Sequence, residues 1–348
     1  MRNVTPDQLI PHSPHFVDRY SKQRVFLGAD RDAGLRGASV AVVGLGATGG
    51  VIAAWLARAG VGRLTLIDRD LVETSNLQRQ ILYDELDVGR PKAHAAKEAL
   101  GRANSQIDIR SVVADLTSGN AIQVLSGFDL IMDGTDNFEV RYLINDVAIL
   151  KQVPWIYCGA IGGEAVVWPI CPPRTPCLRC LMEEPPEVGD VDTCDSLGVL
   201  GPAVGVAASW AAMEAVKILV GELPDQALVK FDLWKNQRQF VPPPTSRCRY
   251  CTGGVTEFLD AKWSIRAAAL CGMEGAQIRV NPPGDLDLQG LVPKLEARSG
   301  SPWRHTPLAL TGSDGGLEIT IFRDGRALLK GKTTPERARG WYTEVVGC

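Results

Sequence analysis

Six residues constrain the fold of this chain more than any others: Gly44-Leu45-Gly46-Ala47-Thr48-Gly49. This G-x-G-x-x-G run sits between an apolar strand pattern at 39–43 and an alanine-rich helical pattern at 49–59. Glycines at that spacing let a tight turn bring backbone against a phosphate. The helix start beyond them offers unpaired N–H groups and the positive end of its dipole. A second apolar run, 64–67, ends on Asp68, about 20 residues on, where an acid accepts from ribose hydroxyls. Further strand patterns at 107–113, 128–132 and 155–159 alternate with helical ones at 91–102 and 138–151. That alternation calls for an α/β fold with a mostly parallel, Rossmann-like sheet carrying a nucleotide site.

The glycine loop alone suits a nicotinamide dinucleotide as well as any other nucleotide. Its sequel narrows the choice. Asp70, Asn76, Arg79 and Lys92 follow Asp68, and Asp136 stands just after a strand end. A dehydrogenase needs a proton shuttle, yet none of the four histidines falls in these motifs. A nucleotidyl transferase needs cations around a triphosphate, because phosphoryl chemistry is mostly positioning and charge neutralisation. Arg79 offers a two-pronged grip on a phosphate, Lys92 a mobile point charge, and Asp136 a carboxylate for Mg²⁺.

Asn76-Leu77-Gln78-Arg79-Gln80, with Gly89-Arg90-Pro91-Lys92 and Thr135-Asp136-Asn137, closely resembles the ThiF/MoeB/HesA family, which is related to the ubiquitin-activating enzymes. The resemblance runs from about Arg19 to Gly253. It implies a homodimer that uses ATP and Mg²⁺ to adenylate the C-terminal glycine of a ubiquitin-like sulfur-carrier protein with a Gly-Gly terminus, of the ThiS or MoaD kind. A separate donor would supply the sulfur. By motif, Gly44, Gly46 and Gly49 would line the phosphates and Asp68, beside Asp70, would bind the ribose. Asn76, Arg79 and Lys92 would contact phosphates, and Asp136 would handle Mg²⁺. One position departs: where the family has an arginine that reaches across the dimer, this chain has Lys22, with Arg19 and Arg24 nearby. Lysine keeps the charge and loses the forked geometry.

The nine cysteines include Cys177-Leu178-Arg179-Cys180 and Cys248-Arg249-Tyr250-Cys251. Four thiolates fill a tetrahedral Zn²⁺ shell and leave no place for water, so the ion would be structural. Two redox pairs are the alternative. Cys194 lies in a polar loop before an apolar helix at 203–220, between Asp192 and Asp195. In the resembled family this place holds the cysteine that links covalently to the carrier's terminal carbonyl. Flanking carboxylates oppose thiolate formation, so an activating cation would come from elsewhere.

Residues 1–257 form the expected adenylating domain, with the zinc-binding part at 171–254. Residues 258–348 form a small α+β appendage of unassigned role, with a hairpin at 317–330 and a helix from Pro335. Trp303, His305 and Trp341 read there as packing rather than chemistry. A formal net charge of −3 argues against nucleic-acid binding. No signal-like start and no spanning apolar run stands out, which points to a cytoplasmic protein without a membrane partner. Thiamine-thiazole sulfur transfer is the favoured pathway, with a MoeB-like role in molybdopterin synthesis second. The rivals are a nicotinamide dehydrogenase, a non-catalytic nucleotide-binding partner protein, and an enzyme adenylating a peptide or tRNA.

Overall fold

The computed structural model describes residues 18–185, 197–224, 226–260, 264–269, 274–281 and 285–346. Two short helices, α1 (Ser21–Leu27) and α2 (Ala29–Gly37), precede an eight-stranded sheet. Its strands are β1 (Ser39–Val43), β2 (Arg63–Ile67), β3 (Asp108–Val112), β4 (Leu130–Asp133), β5 (Trp155–Ile161), β6 (Glu164–Ile170), β7 (Leu228–Asp232) and β8 (Gln237–Val241). They lie in the order β3-β2-β1-β4-β5-β6-β7-β8. The first five run parallel, and the last three extend the sheet as an antiparallel meander.

The intervening helices are α3 (Ala47–Ala59), α4 (Lys92–Ala103), α5 (Ala121–Val124), α6 (Phe138–Lys151), α7 (Leu178–Leu181), α8 (Gly201–Leu219) and α9 (Arg249–Gly253). They divide the apolar core between the two faces. Leu56, Leu64 and Ala211 pack in one cluster, while Tyr142, Ile144 and Trp155 pack in the other. A parallel strand covered on both sides reads as an unbroken apolar run, and β1 is buried at all five residues. Helix α8 has the length and composition of a membrane span, although no such run stood out in the sequence. Here its alanines face α3, β5 and β6.

A second, six-stranded antiparallel sheet follows, in the order β11-β12-β13-β14-β10-β9. It comprises β9 (Ser264–Ala269), β10 (Gly275–Asn281), β11 (Arg304–His305), β12 (Ala309–Asp314), β13 (Leu317–Phe322) and β14 (Ala327–Lys330), with helices α10 (Leu288–Ser299) and α11 (Pro335–Val345). Leu295, Trp303, Ile321 and Tyr342 centre its core. Phe258 and Leu259 pack instead on the first body.

Strand order fixes where a ligand belongs. β1 pairs with β2 on one side and β4 on the other, aligning Val43 with both Ile67 and Asp133. The chain therefore leaves all three strands at one level, through Gly44, Asp68 and Gly134. The crevice beyond strand ends, where the winding reverses, is the general binding place of such sheets.

Candidate functional site

The glycines at that crevice are required by contact. Gly44 has a φ of 79°, and a Cβ there would meet the Gly134 carbonyl at 2.8 Å. A Cβ on Gly49 would stand 1.8 Å from the Gly44 oxygen, so α3 starts against the turn with no space between. Gly46, the residue before α3, is open apart from Gln80 Nε2 at 3.7 Å. Gln80 is buried, and its Oε1 has no partner among the described residues. A bare backbone turn and a helix start fit an ATP phosphate chain.

Asp68 accepts from the Leu45 and Asp70 N–H groups, both at 2.6 Å, and so pins the glycine turn to the end of β2. Burial pushes its carboxyl above the ordinary value against the pull of Lys92. Tyr83 completes this frame: its hydroxyl donates to the Leu45 carbonyl at 2.9 Å and lies 3.4 Å from that of Lys92. Lys92 itself is the buried first residue of α4. A cation at a helix N-terminus opposes the dipole, so the lysine does not serve the helix. Burial works against its charge, but Asp70, Asp68 and Asp136 override that and hold it above the usual lysine value. Its Nζ lies 3.7 Å from Asp70 Oδ2. Burial likewise opposes the charge on Asp70, and Lys92, Arg69 and Arg326 hold that carboxyl far below its usual range.

On the β4 side, Asp133 and Arg141 form a buried pair at 3.0 Å. Arg141 also donates to the Thr135 carbonyl at 2.6 Å, while Asp133 accepts from Thr135 N–H and Oγ1. Asn137 caps α6 by accepting from the Glu139 and Val140 N–H groups. Asp136 is thereby fixed in an exposed position between two anchored residues. Its carboxylate has no ion-pair partner among the described residues, and its charge acts on Arg69, Lys92 and Arg141. That donor fits a divalent cation carried by phosphates.

The structure thus gathers Gly44, Gly46, Gly49, Asp68, Asp70, Lys92 and Asp136. Asn76 and Arg79 lie on the adjoining segment, Asn76 closing a 3-10 turn at Thr74–Asn76 and Arg79 three residues past it. Arg79 donates to the Ser75 carbonyl at 2.9 Å and borders an apolar groove lined by Trp55, Ile81, Val206 and Met213. Lys22 is exposed on α1, away from this cluster, whereas Arg24 is engaged by Asp18 and Asp32 and Arg19 by the Ala103 carbonyl. Cys194 lies outside the described residues. The sequence assigned no role to Gln80, although it closes the quoted motif, and singled out neither Tyr83 nor the Asp133–Arg141 pair. Only the last had a visible signal, an acid closing a strand with an arginine in the next helical turn. Arg326, which sits 256 residues from Asp70, was likewise given no role.

The four paired cysteines meet. Neighbouring sulfurs stand 3.6–3.9 Å apart, and all four lie within 4.8 Å of one another. A Zn–S bond of about 2.3 Å gives a tetrahedron with edges of about 3.8 Å, so the cluster fits structural Zn²⁺. Cys248 N–H points at Cys180 Sγ from 3.3 Å, an outer hydrogen bond suited to a thiolate. Arg179 is buried between the pairs, 3.2 Å from the Tyr250 ring centre and bonded to Glu184 and Glu257.

The ThiF family model matches residues 20–252. The chain belongs to the ThiF family. Among its relatives, the Bacillus subtilis sulfur carrier protein ThiS adenylyltransferase is 36% identical over 336 residues, 94% of this chain and 99% of that one. A sulfur carrier protein adenylyltransferase of Thermus thermophilus is 36% identical over 268 residues, covering 74% and 97%. The solved structure of Escherichia coli MccB with ATP shares the fold, with a TM-score of 0.60 at 23% identity over 68% of this chain and 74% of that one. The family match spans both the crevice and the cysteine cluster, and stops before the second sheet.

Proposed function

We propose that this chain adenylates the C-terminal carboxylate of a ubiquitin-like sulfur-carrier protein at the expense of ATP, preparing that terminus for thiocarboxylate formation. The carrying observation is the buried, charged Lys92 beside a glycine cradle and the exposed carboxylate of Asp136. The relative matching nearly the whole length acts on a sulfur carrier, and its name supports the same substrate class here. A carrier of the ThiS kind, from thiamine-thiazole synthesis, is the first choice, and one of the MoaD kind the second.

The carrier's carboxylate is already ionised and needs no base. One of its oxygens bonds to the α-phosphorus of ATP as the bond to the bridging oxygen breaks, and pyrophosphate leaves with that electron pair. Lys92 and the N–H groups at the start of α3 stabilise charge on the phosphates; Asp136 would hold a Mg²⁺ carried by ATP, which would supply further charge neutralisation there. Arg79 and Asn76, on the adjoining segment, contribute further contacts to the phosphates. A sulfur nucleophile then attacks the acyl carbon and AMP departs; Cys194 or a donor persulfide supplies that sulfur.

Tyr20 packs on Gly60 at the far end of α3, about 20 Å along the helix from the glycine turn. That separation supports a reading in which Lys22 serves the phosphates of a second subunit in a homodimer. Exposed Val25, Phe26, Trp55 and Met213 supply apolar surface for that contact. A cytoplasmic enzyme with ATP, Mg²⁺ and one structural Zn²⁺ per chain completes the reading.

Mass spectrometry of a Gly-Gly-terminated carrier mixed with enzyme and Mg·ATP tests it. The carrier should gain one AMP less a water, and a carrier with an amidated C-terminus should gain nothing. An unmodified carboxylate carrier, with ATP bound to the enzyme, would contradict the reading.

A further inference from the structure

The second sheet touches the nucleotide side of the first through three basic side chains. Arg326, in the turn between β13 and β14, is only 2% exposed and lies over the Phe322 ring, 3.6 Å from its centre. One of its amino groups donates to the Arg69 carbonyl, and the other lies 3.5 Å from Asp70 Oδ1. Lys330 pairs with Glu73. Arg304 Nη1 approaches to 3.8 Å of where a Cβ on Gly89 would stand. The two segments they touch are joined by Val72 N–H to the Arg90 carbonyl, Gly89 N–H to the Val72 carbonyl, and Lys92 N–H to the Asp70 carbonyl, at 2.8–2.9 Å. All three contacts therefore fall on the patch that carries Asp70 and Lys92.

Asp70 is a shared counter-ion. Lys92 attends its Oδ2 and Arg326 its Oδ1, while Arg69, 3.5 Å from Oδ1, is committed to Asp115 at 3.0 Å. For Lys92 to neutralise a phosphate it must leave Asp70, a half-buried carboxylate that solvent only partly screens, and the loss of that close counter-ion opposes the move. Arg326 removes that obstacle. Fixed by the Arg69 carbonyl, the Phe322 ring and Asp324 at 3.5 Å, it stays on Asp70 when Lys92 departs.

We propose that Arg326 is a positioning residue for adenylation: it keeps Asp70 neutralised so that Lys92 is free to move onto the phosphate chain. The C-terminal body thereby becomes part of the nucleotide site. This rests on the adenylation reading given above.

The test is steady-state ATP–pyrophosphate exchange on the full chain with a Gly-Gly-terminated carrier, for wild type, R326M, R326K, D70N and D70N/R326M, with unfolding temperatures alongside. Wild type comes first, because absence of exchange there defeats the adenylation reading and not this one. R326M should lower kcat about tenfold or more with KM for ATP changed less than about threefold, since the glycine cradle is untouched. Neutralising Asp70 should cancel the defect, leaving D70N/R326M within about threefold of D70N. Should R326M not fold, R326K carries the test: retained charge predicts a kcat within about fivefold of wild type, and a larger loss without a change in unfolding temperature overturns the idea. A folded R326M with unchanged kcat overturns it too, as does a double variant that loses the same factor relative to D70N as R326M loses relative to wild type.

Discussion

Gly49 and Lys92 show how much of the site hangs on single atoms. A methyl on Gly49 would overlap the Gly44 oxygen at 1.8 Å, so G49A must shift α3 off the turn. We predict loss of ATP binding by equilibrium dialysis and a fall in unfolding free energy of roughly 2–4 kcal/mol, as for other severe steric conflicts; native-like binding would refute the contact. K92A should retain the fold and lose about a hundredfold or more in pyrophosphate exchange, because it removes a pre-placed charge from the transition state. An exchange rate within about threefold of wild type would deny Lys92 its role. Gly44, Asp68 and Lys92 were singled out in the sequence by a glycine turn, a strand-end acid and a resembled motif, and the fold brings all three to the strand-end crevice. Arg326 was not. A lone arginine in a glycine turn looks like a solvated loop residue until the fold carries it to Asp70.

Among the elements, the parallel strands and their helices were legible from apolar runs and alternation, and β1 and α6 match the expected ranges. Strand β8 was not: Gln237–Val241 edges the sheet with four of five residues exposed, so it carries no apolar period. The four-cysteine cluster joins the ends of β6 and β8 through α7 and α9, elements too short to hold themselves. We predict one zinc per chain by elemental analysis. C177S or a strong chelator should lower the unfolding temperature by about 10 °C or more, and an unchanged temperature would exclude a structural ion. Beside the cluster, Asp146 on α6 is buried and accepts from Phe258 N–H at 2.9 Å, while its Oδ1 has no partner among the described residues. Burial raises its pKa to about 6. A raised folded-state pKa means the folded protein binds the proton more tightly. The associated stability is present below about pH 4 and is lost as pH rises through about 6. D146N should therefore be more stable than wild type at neutral pH, with the gap closing towards pH 4 in urea melts. A gap independent of pH would show that Asp146 does not titrate as stated.

At the scale of the whole molecule, the first sheet builds the nucleotide crevice, the second touches its rim through Arg326 and Lys330, and Lys22 is exposed on α1. The trans role predicts complementation. K22A and K92A should each be weak alone, but mixed and allowed to exchange subunits they should recover about a quarter of wild-type activity, because half the dimers then hold one intact site. No recovery despite demonstrated exchange would return Lys22 to its own subunit. Adenylation of a carrier's terminal carboxylate is read out by ATP–pyrophosphate exchange on the purified chain, with and without Gly-Gly-terminated ubiquitin-like carriers. Exchange should require both carrier and Mg²⁺ and disappear in D136A. An absence of exchange with every carrier, in protein that binds ATP and zinc, would contradict adenylation.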